Sequence, residues 1–150
     1  MRNDNLASSH SSRSWRQRLG GFLFDASMPR LVQEMRREAG TTFQAMVRDL
    51  NTPMTPAFER EVARTLNRAG SEDLIPAVTL MPSMMARFEL VADDFGPEER
   101  VHFGEMQTVC NRCPVVGRCW KALRAEAGWE QCRGFCPNAQ AFEQKAFAAA

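Results

Sequence analysis

The chain contains no tyrosine and only two histidines, His10 and His102, with no serine or carboxylate grouped around either. A histidine base or a histidine-rich metal site is therefore not indicated. Also missing are a glycine-rich phosphate loop, paired catalytic carboxylates and a zinc-hydrolase motif, so the chain reads as non-catalytic. No apolar run approaches the roughly 18 residues that a membrane span requires, and the N-terminus lacks the continuous apolar stretch of a secretory signal. The expected location is the cytoplasm, away from membranes. Nineteen basic against eighteen acidic residues leave a net charge of +1, which does not announce a nucleic-acid-binding domain. Sustained alternation of apolar and polar residues is absent, as are Asn-Gly and Asp-Gly hairpin turns. An all-α fold follows.

What is present falls into three stretches. Residues 1–24 interleave Ser8, Ser9, Ser11, Ser12 and Ser14 with Arg13, Arg16 and Arg18, the composition of a flexible basic tail. The same composition suits an organellar leader or an arm that meets nucleic acid.

Residues 25–80 read as short amphipathic helices. The first runs from Met28, with Pro29 in its first turn and Leu31, Val32, Met35 and Ala39 near the 3.6 period, until Gly40. The next carries Phe43, Met46, Val47 and Leu50 on one face behind a capping box of Thr41 and Gln44. A third opens at Thr55-Pro56, places Phe58, Val62 and Leu66 on one stripe, and ends before Gly70. Methionine and phenylalanine stripes at this spacing are core more often than they are a partner groove. Residues 71–82, with Pro76 and Pro82, look like a linker.

Residues 81–148 hold the chemistry. Ser83 is a candidate cap for a helix whose Met84, Met85, Phe88 and Val91 face inward, and Pro97 begins another with Val101, Met106 and Val109 on its apolar face. That helix delivers Cys110 in its last turn. All five cysteines lie between Cys110 and Cys136, an odd number at close spacing, which fits a soft-ligand metal site better than a disulfide framework.

Cys110 and Cys113 form a Cys-x2-Cys knuckle that can turn both thiolates toward one centre. Pro114 suits the start of a helix running to about Ala127, and on it Val116, Cys119 and Leu123 share a face, so Cys119 points inward beneath the knuckle. The fourth ligand is Cys132 or Cys136. Cys136, set before Pro137-Asn138 and a last helix with Phe142 and Phe147, is the favoured one; Cys132 is left as an alternative ligand, a redox thiol or a small buried residue. Four thiolates on zinc or on an oxidised cubane cluster sum to about minus two, and Arg112, Arg118, Lys121 and Arg124 stand nearby in sequence to offset that charge. One knuckle with two single cysteines at wider spacing is more in the habit of a [4Fe-4S] protein than of structural zinc, which remains the alternative. Thiol or disulfide chemistry is a third reading.

The run Met81-Pro82-Ser83-Met84-Met85-Ala86-Arg87, then Cys110-x2-Cys113-Pro114, Cys119 and Phe135-Cys136-Pro137-Asn138-Ala139, resembles a family of small alphaproteobacterial proteins described only as a domain of unknown function. The resemblance covers about residues 81–146 and matches Cys110, Cys113, Cys119 and Cys136 but not Cys132. More locally, Cys113-Pro114-Val115 through Cys119 and Ala122-Leu123 is similar to the cluster-binding segment of WhiB-like iron-sulfur regulators. This chain departs from that family in having its fourth cysteine downstream, and in lacking the glycine-rich turn and the basic DNA-binding tail. The likeness implies iron and sulfur rather than a DNA-binding role. The expectation is a redox- or iron-responsive regulator acting through a protein partner, with a structural zinc module or an electron-transfer accessory protein as alternatives.

Overall fold

A computed structural model describes residues 9–149, and it is helical throughout, with no strand among the described residues. The first helix, α1 (Ser9–Glu38), begins well before the expected Met28 and takes in most of the segment read as a tail. Residues 1–8 lie outside the described part. Pro29 therefore sits inside the helix rather than at its start, where it supplies no backbone donor. Arg, Gln and Leu are good helix formers, and a Ser/Arg composition alone does not distinguish a loop from an exposed helix.

After α1 come α2 (Gly40–Arg48) and α3 (Pro56–Asp73). Thr41 and Gln44 form no capping box, since the N-cap residue of α2 is Ala39 and carries no side-chain cap bond. Thr55 does precede α3 in an extended conformation, with Pro56 in the first turn. Gly70 does not end α3: the chain is non-helical at Ala69 (φ −136°, ψ 18°) and then resumes to Asp73.

The expected linker contains α4 (Pro76–Thr79) and leads straight into α5 (Met81–Arg87), so Ser83 lies within a helix instead of capping one. Two single 3-10 turns, Ala92–Asp94 and Pro97–Glu99, connect to α6 (Arg100–Asn111). Each turn is closed by a carboxylate: the Val91 N–H donates to Asp94 at 2.7 Å and the Gly96 N–H to Glu99 at 2.9 Å. Only Met106 of the expected apolar face of α6 is buried; Val101 is 78% exposed. The chain ends with α7 (Val116–Arg124), the short α8 (Trp129–Arg133) and α9 (Ala139–Ala149).

One core runs through both halves of the sequence. Val32, Phe43, Val47, Val62 and Leu66 from the first three helices are buried in the same cluster as Met84, Met85, Trp120, Leu123 and Phe142. The Met and Phe stripes are thus largely interior, as apolar residues at helical spacing usually are. α7 is the strut at the centre. It lies against α3 so closely that a Cβ on Gly117 would stand 1.9 Å from the Ala63 carbonyl oxygen, and the Gly117 N–H donates to Asn67 Oδ1 at 2.7 Å. On its other side the Trp120 indole N–H donates to the Val47 carbonyl at 2.8 Å, which joins α7 to α2.

Candidate metal centre

Four of the five cysteines line one apolar cavity: Cys110 from the last turn of α6, Cys113 from the following loop, Cys119 from the buried face of α7, and Cys136 from the loop before α9. Leu80, Met81 and Met84 wall it on one side, and Phe135 and Phe142 on another. The enclosed room is about 20 Å³, enough for a single water-sized group. Cys119 is buried, while Cys110, Cys113 and Cys136 are half-buried, and all are free thiols.

Local chemistry explains this convergence. The Cys113 N–H donates to the Cys110 carbonyl at 3.2 Å, so the knuckle folds back on the end of α6. Helix α7 starts at Val116, two residues later than Pro114 suggested, and Pro114-Val115 form the turn that lowers Cys113 beside Cys119. On the far side, Cys136 accepts at its carbonyl from the Ala139 N–H at 3.0 Å and its own N–H donates to the Cys132 carbonyl at 3.0 Å. Cys136 thereby ends the turn after α8 and opens α9.

Three asparagines hold these pieces in register. Asn111, between the first two cysteines, accepts from the Ala77 N–H at 2.8 Å and ties α6 to α4. Asn138, buried in the Cys-Pro-Asn turn, donates to the Met106 carbonyl at 2.9 Å and ties α9 to α6. Asn67 anchors α7 as described. Sequence reading passed over all three; the signal for two of them was an amide residue lodged inside a cysteine motif.

Electrostatics follow from burial. Burial pushes the Cys110 thiol up to about 12, helped by the neighbouring Cys136 and Cys113. Cys119 is driven higher still by burial and then by Cys136, Cys110 and Cys113. Cys136 rises to about 11 through burial, opposed by backbone hydrogen bonds from Asn138 and Ala139. Cys113 is raised by burial and held back by a backbone hydrogen bond from Val115. Both Cys-Pro turns therefore direct amides at their sulfur, because proline contributes no N–H and the next amides take its place. Thiols raised in this way are poor nucleophiles at neutral pH, which weighs against thiol-exchange chemistry.

Cys132 stands apart. It is fully buried on α8, does not line the cavity, and its Sγ lies 3.8 Å from the Ala127 carbonyl oxygen. Of the four cations, Arg112 and Arg118 are exposed beside the cysteines, with the Arg118 guanidinium 4.8 Å from the centre of the Phe135 ring. Lys121 is exposed one turn further along α7. Arg124 is committed elsewhere: its guanidinium donates to the Thr52 carbonyl at 2.6 Å, the Leu50 carbonyl at 3.3 Å and Glu59 at 3.2 Å, and lies over the Trp120 ring. It braces α7 against the α2–α3 connection and is not available to the cysteines.

The donor set fits a thiophilic ion or an iron-sulfur group: four thiols, apolar walls and amides aimed at sulfur. A preassembled ion cage is not what the side chains form, since among the described residues no group of three or more His, Cys, Asp and Glu could hold a metal ion as arranged. Among the same residues no helix is long and apolar enough to cross a membrane. Comparison with protein-family models, with curated proteins and with solved structures finds no match.

Proposed function

We propose that the chain is a non-catalytic iron-sulfur protein, with Cys110, Cys113, Cys119 and Cys136 as ligands of a [4Fe-4S] cluster, and that it regulates a protein partner in response to iron or oxidants. The observation that carries this reading is the single apolar cavity lined by those four cysteines and no fifth. Bound there, the cluster would supply a one-electron couple and sensitivity to oxidants. The chain's own contribution is a set of amides from Val115, Asn138 and Ala139 that favour thiolate at Cys113 and Cys136, and exposed Arg112 and Arg118 that offset the remaining negative charge. The ligands come from α6, α7 and the turn before α9, so their release frees three elements at once. Loss of the group would thus loosen the surface that those elements present. Resemblance to the cluster-binding segment of WhiB-like proteins supports iron over zinc.

The small enclosed volume, about 20 Å³, favours a second reading in which one zinc ion staples the same elements. Zinc requires four sulfurs at about 2.3 Å from one point. A cubane spreads them over four irons and requires the cavity walls to move outward. Anaerobic purification decides between them. The cluster reading expects a brown protein with about four irons and as many sulfides per chain; a colourless protein with stoichiometric zinc and no sulfide overturns it.

A further inference from the structure

Beside the cysteine cavity lies a second feature with no part in it, an open groove of about 330 Å³ between α5, α8 and α9. Its apolar walls are Phe88, Trp129 and Phe147, of which Trp129 is 43% and Phe147 81% exposed. Aromatic rings left facing water on both sides of a groove are surface that an apolar occupant would cover.

Polar groups in the groove state what else the occupant carries. Arg87 Nε is buried and meets no acceptor among the described residues, so a donor waits at one point of the wall. Glu143 Oε1 is likewise buried; Arg133 Nε stands 2.9 Å away as an ion pair, but without the alignment of a hydrogen bond. An acceptor therefore waits at a second point. Formal charge does not select an ion, because Arg87 is balanced by Glu89 in the same groove and Glu143 by Arg133. A neutral group with both an acceptor and a donor, attached to an apolar body, meets all these demands. That description is a peptide unit beside a large apolar side chain.

We propose that this groove binds a short apolar segment of a partner protein, with a backbone carbonyl on Arg87 Nε, a backbone N–H on Glu143 Oε1, and an aromatic or long aliphatic side chain against Trp129 and Phe147. The groove also shares a wall with the cysteine cavity: Phe88 of the groove and Phe142 of the cavity are in tilted ring contact, 5.6 Å between centres. Occupancy of one is therefore felt at the other.

The test is a titration of the full chain with N-acetyl-L-phenylalaninamide, followed in ¹H–¹⁵N spectra. Saturable shifts are expected at the Trp129 indole N–H and at the amides of Arg87, Phe88 and Glu143. N-acetyl-L-alaninamide, which keeps the peptide groups without the ring, and phenylacetate, which keeps the ring with a charge, should each bind at least fivefold more weakly. Arg87→Met removes no hydrogen bond from the fold and should raise the Kd at least fivefold; Trp129→Ala, at an exposed position, should do the same. Failure to saturate, equal affinity for the three probes, or a Kd in both variants within twofold of the parent would overturn the proposal. None of these readouts involves a cysteine, so failure here leaves the metal reading standing, and a metal-free protein leaves this test intact.

Discussion

Gly117→Ala is the sharpest perturbation of the frame that carries the cysteines. The added Cβ would sit 1.9 Å from the Ala63 carbonyl oxygen, 2.8 Å from the Ala63 carbonyl carbon and 2.8 Å from Asn67 Oδ1. Two of these contacts are backbone, which cannot rotate away, so α3 and α7 must separate by an ångström or more. Overpacking of this kind costs about 1–3 kcal/mol. Separation also stretches the Gly117 N–H to Asn67 bond of 2.7 Å, at about 1 kcal/mol for a part-buried hydrogen bond. Alanine returns about 1 kcal/mol of helix propensity, leaving a net loss of about 1–3 kcal/mol. For a chain of this size that lowers Tm by roughly 3–10 °C. Gly104→Ala is the internal control, because nothing lies within 4 Å of its added Cβ and only the propensity gain of about 1 kcal/mol remains. Thermal and urea unfolding should therefore move in opposite directions for the two variants. A Gly117→Ala protein as stable as its parent would refute the close helix crossing on which the placement of Cys119 depends.

Ligand assignment predicts that Cys136→Ser purifies without stoichiometric metal while Cys132→Ser retains it, checked by metal analysis; equal loss from both would mean that Cys132 is a ligand. Arg124→Met should cost about 2–3 kcal/mol in urea unfolding, since it strands two backbone carbonyls and a partly buried Glu59. Equal stability would show that the bracing is idle. Glu99 is held below the ordinary glutamate value by its hydrogen bond from Lys145 and then by the Gly96 amide, so its folded pKa lies under its unfolded one. Its contribution is accordingly complete above about pH 4.5 and fades as pH falls through the folded value. Glu99→Gln should be less stable than the parent near neutrality, with the gap closing in acid, and a gap independent of pH would remove Glu99 as its source.

What could be read from the residues was what depends on short spacing. The helical character, the start of α3 at Pro56, the delivery of Cys110 by α6 and the inward face of Cys119 each rest on a pattern of seven residues or fewer. So does the choice of Cys136 over Cys132 as a cavity residue: an amide-directed Cys-Pro turn is a local device, and the sequence displays it twice. What could not be read depends on partners far along the chain. Arg124 looked like a counter-ion for the cysteines because it is near them in number. Its guanidinium is instead fixed by Leu50, Thr52 and Glu59, at least 65 residues away. Capping by Thr41 or Ser83 was plausible from local rules, yet α2 starts without a side-chain cap and α5 starts earlier, at Met81.

The same division bears on how the centre would signal. The ligands sit on segments whose registration is set by long-range amides, Asn111 to Ala77, Asn138 to Met106 and Asn67 to Gly117, rather than by the cysteine loops themselves. Burial keeps Cys110, Cys119 and Cys136 protonated in the metal-free protein, so that form is a folded apolar core and not a cage of repelling thiolates. Loss of the bound group then converts a bound state into a closed thiol core, without requiring the helices to unfold. The difference between the two states is concentrated where the side chains must move, at Cys110, Cys113 and Cys136 on the half-buried side of the cavity. A regulator built this way would alter its surface around α6 and the start of α9 while leaving the α3–α7 crossing unchanged.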